Sequence, residues 1–139
     1  INAFALKDWE RVDKALFFIL SQEKAHPEAL YLLSQMCIEV RDFEKARDTL
    51  SFLLEKVSWR PLEVRFQLAR AYTYLGELDK AQAIYEALIP FHQTVALYIN
   101  LGNLHLLKKE EKAARFYFEK AQRLSPESSV VAERLQELS

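Results

Sequence analysis

The sequence predicts an all-α fold built from antiparallel pairs of short helices. The 139-residue chain holds two glycines and four prolines, too few for the turns of a β-sandwich or barrel. Apolar residues recur at helical spacing, as at Leu30, Leu33 and Cys37. A short motif also returns about every 34 residues, which indicates a tandem repeat whose units contribute two helices each.

The repeated motif is an acidic residue followed four positions later by alanine. It occupies residues 42–46, 77–81 and 110–114, so its alanines, Ala46, Ala81 and Ala114, are 35 and 33 residues apart. A weaker copy at 8–12 ends on Val12. A large residue follows each alanine by four positions, at Leu50, Tyr85 and Phe118. We expect the alanines to let paired helices approach closely and the large residues to fill the space between units.

The helices follow from this frame and from local start and stop signals. We predict them over 8–24, 27–40, 43–57, 61–75, 78–89, 94–107, 110–124 and 126–138. Pro27 and Pro61 stand at helix starts, where a missing N–H costs nothing. Gly76 is placed at a turn that favours positive φ, and Gly102 at a close helix contact. Ser125 is the predicted N-cap of the last helix.

The predicted organisation is one domain over residues 1–139. Its parts are a partial repeat at 1–26, repeats at 27–60, 61–93 and 94–125, and a capping helix at 126–139. The last helix is amphipathic, with Val131 and Leu135 on its apolar side, which suits the end of a stack. Because the chain begins with Ile1 and not Met, we expect a fragment of a longer protein or a processed product.

The unit with the fullest pattern shows a known family signature. It carries Tyr98, Leu101, Gly102 and His105, then Ala114 and Phe118, then Pro126. This arrangement resembles the tetratricopeptide repeat (TPR) family, whose pattern is W-x2-L-G-x2-Y, then A-x3-F, then P. The resemblance covers nearly the whole chain and implies about three complete repeats, a partial N-terminal repeat and a C-terminal capping helix. It implies a right-handed α-α superhelix, the TPR solenoid, which serves as a protein–protein interaction scaffold.

The resemblance also implies a concave groove lined by the first helix of each repeat. An apolar-aromatic line interrupted by polar side chains suits an amphipathic helix or an extended apolar peptide. Relatives that clamp a terminal carboxylate need basic residues where this chain has Glu63 and Ala96, so that mode is not expected. The groove residues implied are Tyr31, Gln35, Phe66, Arg70, Tyr74, Ile99, Asn100 and Asn103.

The sequence shows no pattern for catalysis or metal binding. His26, His92 and His105 fall in different units without ligand spacing, and Cys37 is the only cysteine. Two glycines leave no phosphate-binding loop. We therefore predict no enzyme activity, no catalytic residues, no cofactor and no metal site. The net charge is −1, and glutamates interrupt the basic stretch at 108–123, so we predict no nucleic-acid partner.

The expected partner is a protein or peptide. The longest apolar run, 15–20, is far shorter than the roughly 20 residues that span a bilayer, so no membrane insertion is expected. A lone cysteine suits a cytoplasmic location, with a periplasmic or membrane-tethered parent protein as alternatives. Trp9, Phe17 and Phe18 predict an N-terminal end face for self-association. Alternative roles are a structural segment of a larger repeat assembly, a small secretion-type chaperone and a regulatory domain of a longer enzyme.

Overall fold

The structure is a computed structural model that describes Lys14 and residues 27–138. Seven α-helices and no strand occupy this described part. They are α1 (Pro27–Glu39), α2 (Phe43–Lys56), α3 (Pro61–Tyr74), α4 (Leu78–Leu88), α5 (Val95–Leu107), α6 (Glu111–Leu124) and α7 (Ser129–Glu137). The predicted helix at 8–24 lies outside the described residues, except that Lys14 is helical. The chain forms two compact units, Ile1–Gly76 and Glu77–Ser139.

In the first unit, α2 packs against both α1 and α3. The predicted apolar stripe of α1, Leu30, Leu33 and Cys37, is buried. Leu50 and Leu53 of α2, the helix that packs against α1, are fully buried as well. Burial of such stripes is the main favourable contribution to helix pairing, since removing apolar surface from water drives folding.

In the second unit, α5 packs against α6, while α4 contacts α5 and α7 contacts α6. Val131 of α7 is buried in a cluster with Tyr98 and Ala121, and Leu135 packs against that cluster. The Arg115 side chain donates a hydrogen bond to the carbonyl of Leu138, which ties α6 to the end of α7. The last helix is therefore held both by apolar contact and by a side-chain cap.

The repeat positions predicted from the alanine spacing are core positions. Ala46, Ala81 and Ala114 are fully buried. The large residues four positions later, Leu50, Tyr85 and Phe118, are buried to at least 99%. Small and large side chains thus alternate in the core as the repeated motif predicts.

The turns after α1, α3 and α5 use a left-handed residue at matched positions. These residues are Arg41 (φ 66°), Gly76 (φ 82°) and Lys109 (φ 63°). After α1, the Asp42 N–H donates to the Cys37 carbonyl at 2.8 Å, and the same bond joins Glu110 to His105 after α5. This is the Schellman pattern, which satisfies carbonyls left open at a helix end. The matched geometry shows that the turn repeats even where the residue type does not.

The last helix begins three residues later than predicted. Ser128, not Ser125, is its N-cap, and the Ser128 hydroxyl accepts from the Val131 N–H at 3.5 Å. Ser125 instead ends α6, and its carbonyl accepts from the Ser128 N–H at 3.1 Å. Pro126 therefore occupies the second position of a tight turn. The prediction was wrong because a fixed φ near −65° suits that turn position as well as the first residue of a helix.

Candidate functional site

The first unit brings five predicted groove residues together on two helices. Tyr31 and Gln35 are one turn apart on α1, and Phe66, Arg70 and Tyr74 are each one turn apart on α3. Residues four apart share a helix face, so each set forms a stripe. All five side chains are at least partly accessible, and Tyr74 is 51% exposed. We call these five residues the α1–α3 surface.

One end of the α1–α3 surface is aromatic and includes a residue that the sequence reasoning missed. The Trp59 ring lies 5.4 Å from the Tyr31 ring, and the Arg60 guanidinium lies 5.0 Å from the centre of the indole. Burial raises the pKa of Tyr31. Hydrogen bonding with Gln67 lowers this pKa, and the negative charge of Glu63 raises it. Trp59 directly precedes the N-cap of α3, where an aromatic side chain often packs against the first turn.

The centre of the surface is polar and holds a cation in a fixed position. Arg70 donates through Nη1 to Gln67 Oε1 at 2.8 Å. Gln67 also lies close enough to Tyr31 of α1 to affect the pKa of that phenol. Gln35 Nε2 is buried without a hydrogen-bond partner. The surface thus carries an oriented guanidinium on α3 and, on α1, an amide whose hydrogen-bonding capacity is unmet.

The other end is also aromatic. The Tyr74 ring stacks on Phe43 with centroids 4.5 Å apart and planes 12° apart. The Arg41 guanidinium lies 5.7 Å from the centre of the Phe43 ring. Phe43 belongs to the repeated motif at 42–46, but its spacing from Tyr74 along the chain gave no signal that the two rings meet. Half of Tyr74 stays exposed despite this stack.

The remaining predicted groove residues belong to the second unit and have local partners. Ile99 packs against the cluster of Tyr98, Ala121 and Val131. The Asn100 side chain donates to the Ala96 carbonyl of its own helix at 2.9 Å. Asn103 is half-buried on α5. Part of the apolar surface predicted for ligand contact at Ile99 therefore supports the packing of α7.

A polar network in the second unit joins α4 to the turn after α5. Lys108 Nζ donates to Gln82 Oε1 at 2.6 Å and lies 3.3 Å from Asp79 and 3.4 Å from Glu110. Partial burial lowers the pKa of Lys108, but the hydrogen bonds and charges of Asp79 and Glu110 outweigh it, so the pKa is raised. This lysine cross-links two helices and their turn.

One histidine and the cysteine lie in the core. His105 is 5% exposed and stacks on Tyr117 with centroids 5.4 Å apart. His105 Nδ1 lies 3.5 Å from Glu110 Oε1, without hydrogen-bond geometry. Cys37 is buried, which fits its place in the apolar stripe of α1. Within the described residues, no three or more His, Cys, Asp or Glu side chains are grouped to hold a metal ion.

Some predicted features lie outside the described part of the chain. Trp9, Phe17, Phe18 and His26 are among them, so the end face for self-association stays a prediction. Of the helices that the structure describes, none is long and apolar enough to cross a membrane.

Comparison with known proteins supports the all-α repeat fold that the structure shows. A model of the tetratricopeptide repeat family matches residues 62–89 and 95–128. No curated protein sequence matches the chain.

Among solved structures, MamA is similar with a TM-score of 0.74 and 17% identity, over 94% of this chain and 72% of MamA. BtubC from P. vanneervenii is similar with a TM-score of 0.73 and 17% identity, over 98% of this chain and 65% of BtubC. A chain of the APC/C hetero-tetramer Cut9-Hcn1 is similar with a TM-score of 0.75 and 16% identity, over 95% of this chain. This chain spans 27% of that one. These likenesses confirm the predicted fold class, an all-α solenoid of repeated helix pairs.

Proposed function

Because the chain is a tetratricopeptide repeat protein, we propose that it is a non-catalytic interaction module whose α1–α3 surface binds a segment of a partner protein. Members of this family bind protein ligands on the first helices of their repeats, and the resemblance of the sequence to this family implies the same arrangement here. The proposal places the contact within the first unit, where five of the implied residues share one surface.

The observation that carries the proposal is the mixture of aromatic and cationic groups on accessible helix faces. Tyr31 and Phe66 are only partly buried and Tyr74 is exposed, although they belong to helices whose other faces form the core. Arg70 lies between two of these aromatic residues along α3. Tyr, Trp and Arg side chains dominate the binding energy of protein interfaces, because each combines a large contact area with a polar group.

The helices that carry these side chains are rigid supports. Both α1 and α3 are packed against α2, and Pro61 fixes the first turn of α3. A surface built on packed helices loses little conformational entropy when a ligand binds, so more of the contact energy appears as affinity.

Partner capture with a matched pair of variants tests the proposal. The full-length parent protein is used as bait, with and without Phe66→Ala combined with Tyr74→Ala, and bound proteins are quantified by mass spectrometry. We expect this variant to reduce capture of specific partners more than about tenfold, since hot-spot truncations cost 2 kcal/mol or more. Its circular-dichroism melting curve should stay close to that of the wild type.

The control replaces exposed apolar residues elsewhere. Phe116 and Leu124 of α6 are 53% and 51% exposed, and Phe116→Ala combined with Leu124→Ala removes a similar apolar area. Equal loss of partners in both variants, or no loss in the first, would contradict the proposal. A collapse of the melting curve in the first variant would show that Phe66 and Tyr74 are core residues, and would contradict it as well.

A further inference from the structure

Arg70 is a half-buried cation that has no acidic partner among residues 27–138. Its one hydrogen-bond partner among the described residues is the neutral side chain of Gln67, and no described carboxylate forms an ion pair with it. Other basic groups are neutralised: Arg47 pairs with Asp48 at 3.0 Å, and Lys108 pairs with Asp79 at 3.3 Å. A charge that loses part of its hydration without gaining a counter-ion is unfavourable, and an incoming carboxylate removes that penalty.

The acidic residues of the same helices are displaced from Arg70. Glu63 precedes it on α3 by seven residues, which is about 10 Å along the helix axis. Glu28 and Glu39 lie at the two ends of α1. All three are exposed, so they are hydrated and leave the centre of the surface positive.

The spacing along α3 sets the register of a ligand. Arg70 is four residues from Phe66 and four from Tyr74, which corresponds to about 6 Å on either side. An extended chain advances about 3.3 Å per residue, and alternate side chains point the same way. Side chains two positions apart on an extended ligand would therefore meet Phe66, Arg70 and Tyr74 in turn.

The polar groups on the opposite helix favour an extended ligand over a helical one. Gln35 Nε2 is buried and has no hydrogen-bond partner, so a ligand carbonyl that reached it would satisfy this donor. Burial raises the pKa of Tyr31, so its O–H keeps its proton and can donate. Main-chain carbonyls of an extended segment can accept from both groups, whereas a helix uses its carbonyls internally.

We infer that the α1–α3 surface binds an extended segment in which an aspartate or glutamate side chain pairs with Arg70 and apolar side chains two positions away on each side contact Phe66 and Tyr74. This inference rests on the proposed function and names the chemistry of the partner. It concerns an internal acidic side chain, which differs from the clamping of a terminal carboxylate.

Three sets of immobilised nine-residue peptides with blocked ends test the inference. The first has Asp or Glu at the centre and apolar residues two positions to either side. The second has Asn or Gln at the centre, and the third has the acidic centre with apolar residues four positions away, the helical spacing. Each set is titrated with the wild type, Arg70→Gln, Arg70→Lys and Arg65→Gln. Arg65 is an exposed arginine of the same helix outside the α3 stripe, which makes it a matched control.

We expect the wild type to bind the first set at least about tenfold more tightly than the other two, because hydrogen bonds to charged groups contribute more than neutral ones. Arg70→Gln should abolish the preference for acid over amide, Arg70→Lys should keep part of it, and Arg65→Gln should leave it unchanged. Equal binding of acidic and amide peptides, or a preference that survives Arg70→Gln, would overturn the inference while leaving the proposed function intact.

Tighter binding of the helically spaced set would overturn the extended conformation. Failure of all three sets to bind would also overturn the inference, and the proposed function would then be decided by partner capture alone.

Discussion

Gly102 of α5 and the Phe118 ring of α6 are in direct contact. A side-chain carbon added to Gly102 would lie 2.5 Å from Cε1 of Phe118, closer than real Cβ atoms approach a ring. The phenylalanine is fully buried, so its ring has little room to retreat. The absence of a side chain at one residue therefore sets how closely α5 and α6 pair.

Gly102→Ala should destabilise the fold by about 1–3 kcal/mol, the range for overpacked cores, although alanine is the better helix former. The free energy of unfolding in urea measures the change. Combining Gly102→Ala with Phe118→Leu should make the two effects non-additive, since the smaller side chain relieves the clash. Strict additivity would contradict the contact.

The left-handed turn residues predict opposite effects of glycine at matched positions. Gly76→Ala should cost about 1 kcal/mol through backbone strain alone, because no atom lies within 4 Å of the added carbon. Lys109→Gly should stabilise the protein by up to about 1 kcal/mol. Glycine relieves the strain of the positive φ, and this gain exceeds the cost of its greater freedom in the unfolded chain. Arg41→Gly should gain less, because it also removes the guanidinium from the Phe43 ring. Thermal melting of the three variants checks the order.

Stability should fall at alkaline pH partly through Tyr117. Burial raises the pKa of Tyr117. Electrostatic repulsion from Glu86, and to a lesser extent from Tyr98, raises it further. The unfolded phenol ionises near pH 10. The folded state holds the proton more tightly, so the stabilisation is complete below about pH 10 and is lost as pH rises through the raised pKa.

Tyr117→Phe should therefore lose less stability than the wild type between pH 8 and pH 11, measured as the midpoint of urea unfolding. Glu86→Gln should lower the pKa of Tyr117 in an ultraviolet titration. An identical alkaline loss in the wild type and Tyr117→Phe would remove Tyr117 as a cause.

Ser128, and not Ser125, is the N-cap of the last helix, so replacement by alanine should have different effects at these two serines. Ser128→Ala should cost about 1 kcal/mol, because the side chain accepts from the Val131 N–H. Ser125→Ala should cost less, since that hydroxyl bonds only to the exposed Glu127 carboxylate. Differential scanning calorimetry of both variants measures this contrast, and a larger effect at Ser125 would favour the earlier helix start.

The helices could be predicted closely because their signals are local. Pro27 and Pro61 begin α1 and α3 as expected, and the alanines at 46, 81 and 114 are buried. The start of α7 was missed because Pro126 satisfies two local rules at once. Local patterns of this kind depend on neighbours within a turn or two.

The composition of the candidate site could be predicted less completely. The stripe of Phe66, Arg70 and Tyr74 follows from helical spacing, which the sequence displays. The contacts of Trp59 with Tyr31 and of Phe43 with Tyr74 join different elements, and no spacing along the chain encodes them. Ile99 packs against the cluster that includes Val131, a tertiary contact that carried-over groove positions do not reveal.

Trp59 lies beside both Tyr31 and the Arg60 guanidinium at one end of the surface. Indole fluorescence responds to nearby charge and to hydration, and the tyrosine ring is close enough to transfer excitation to it. The chain has two tryptophans, so a Trp9→Phe protein would emit from Trp59 alone. Occupation of the neighbouring surface would then change the colour or intensity of that emission, and the molecule would report its own ligand without an attached dye.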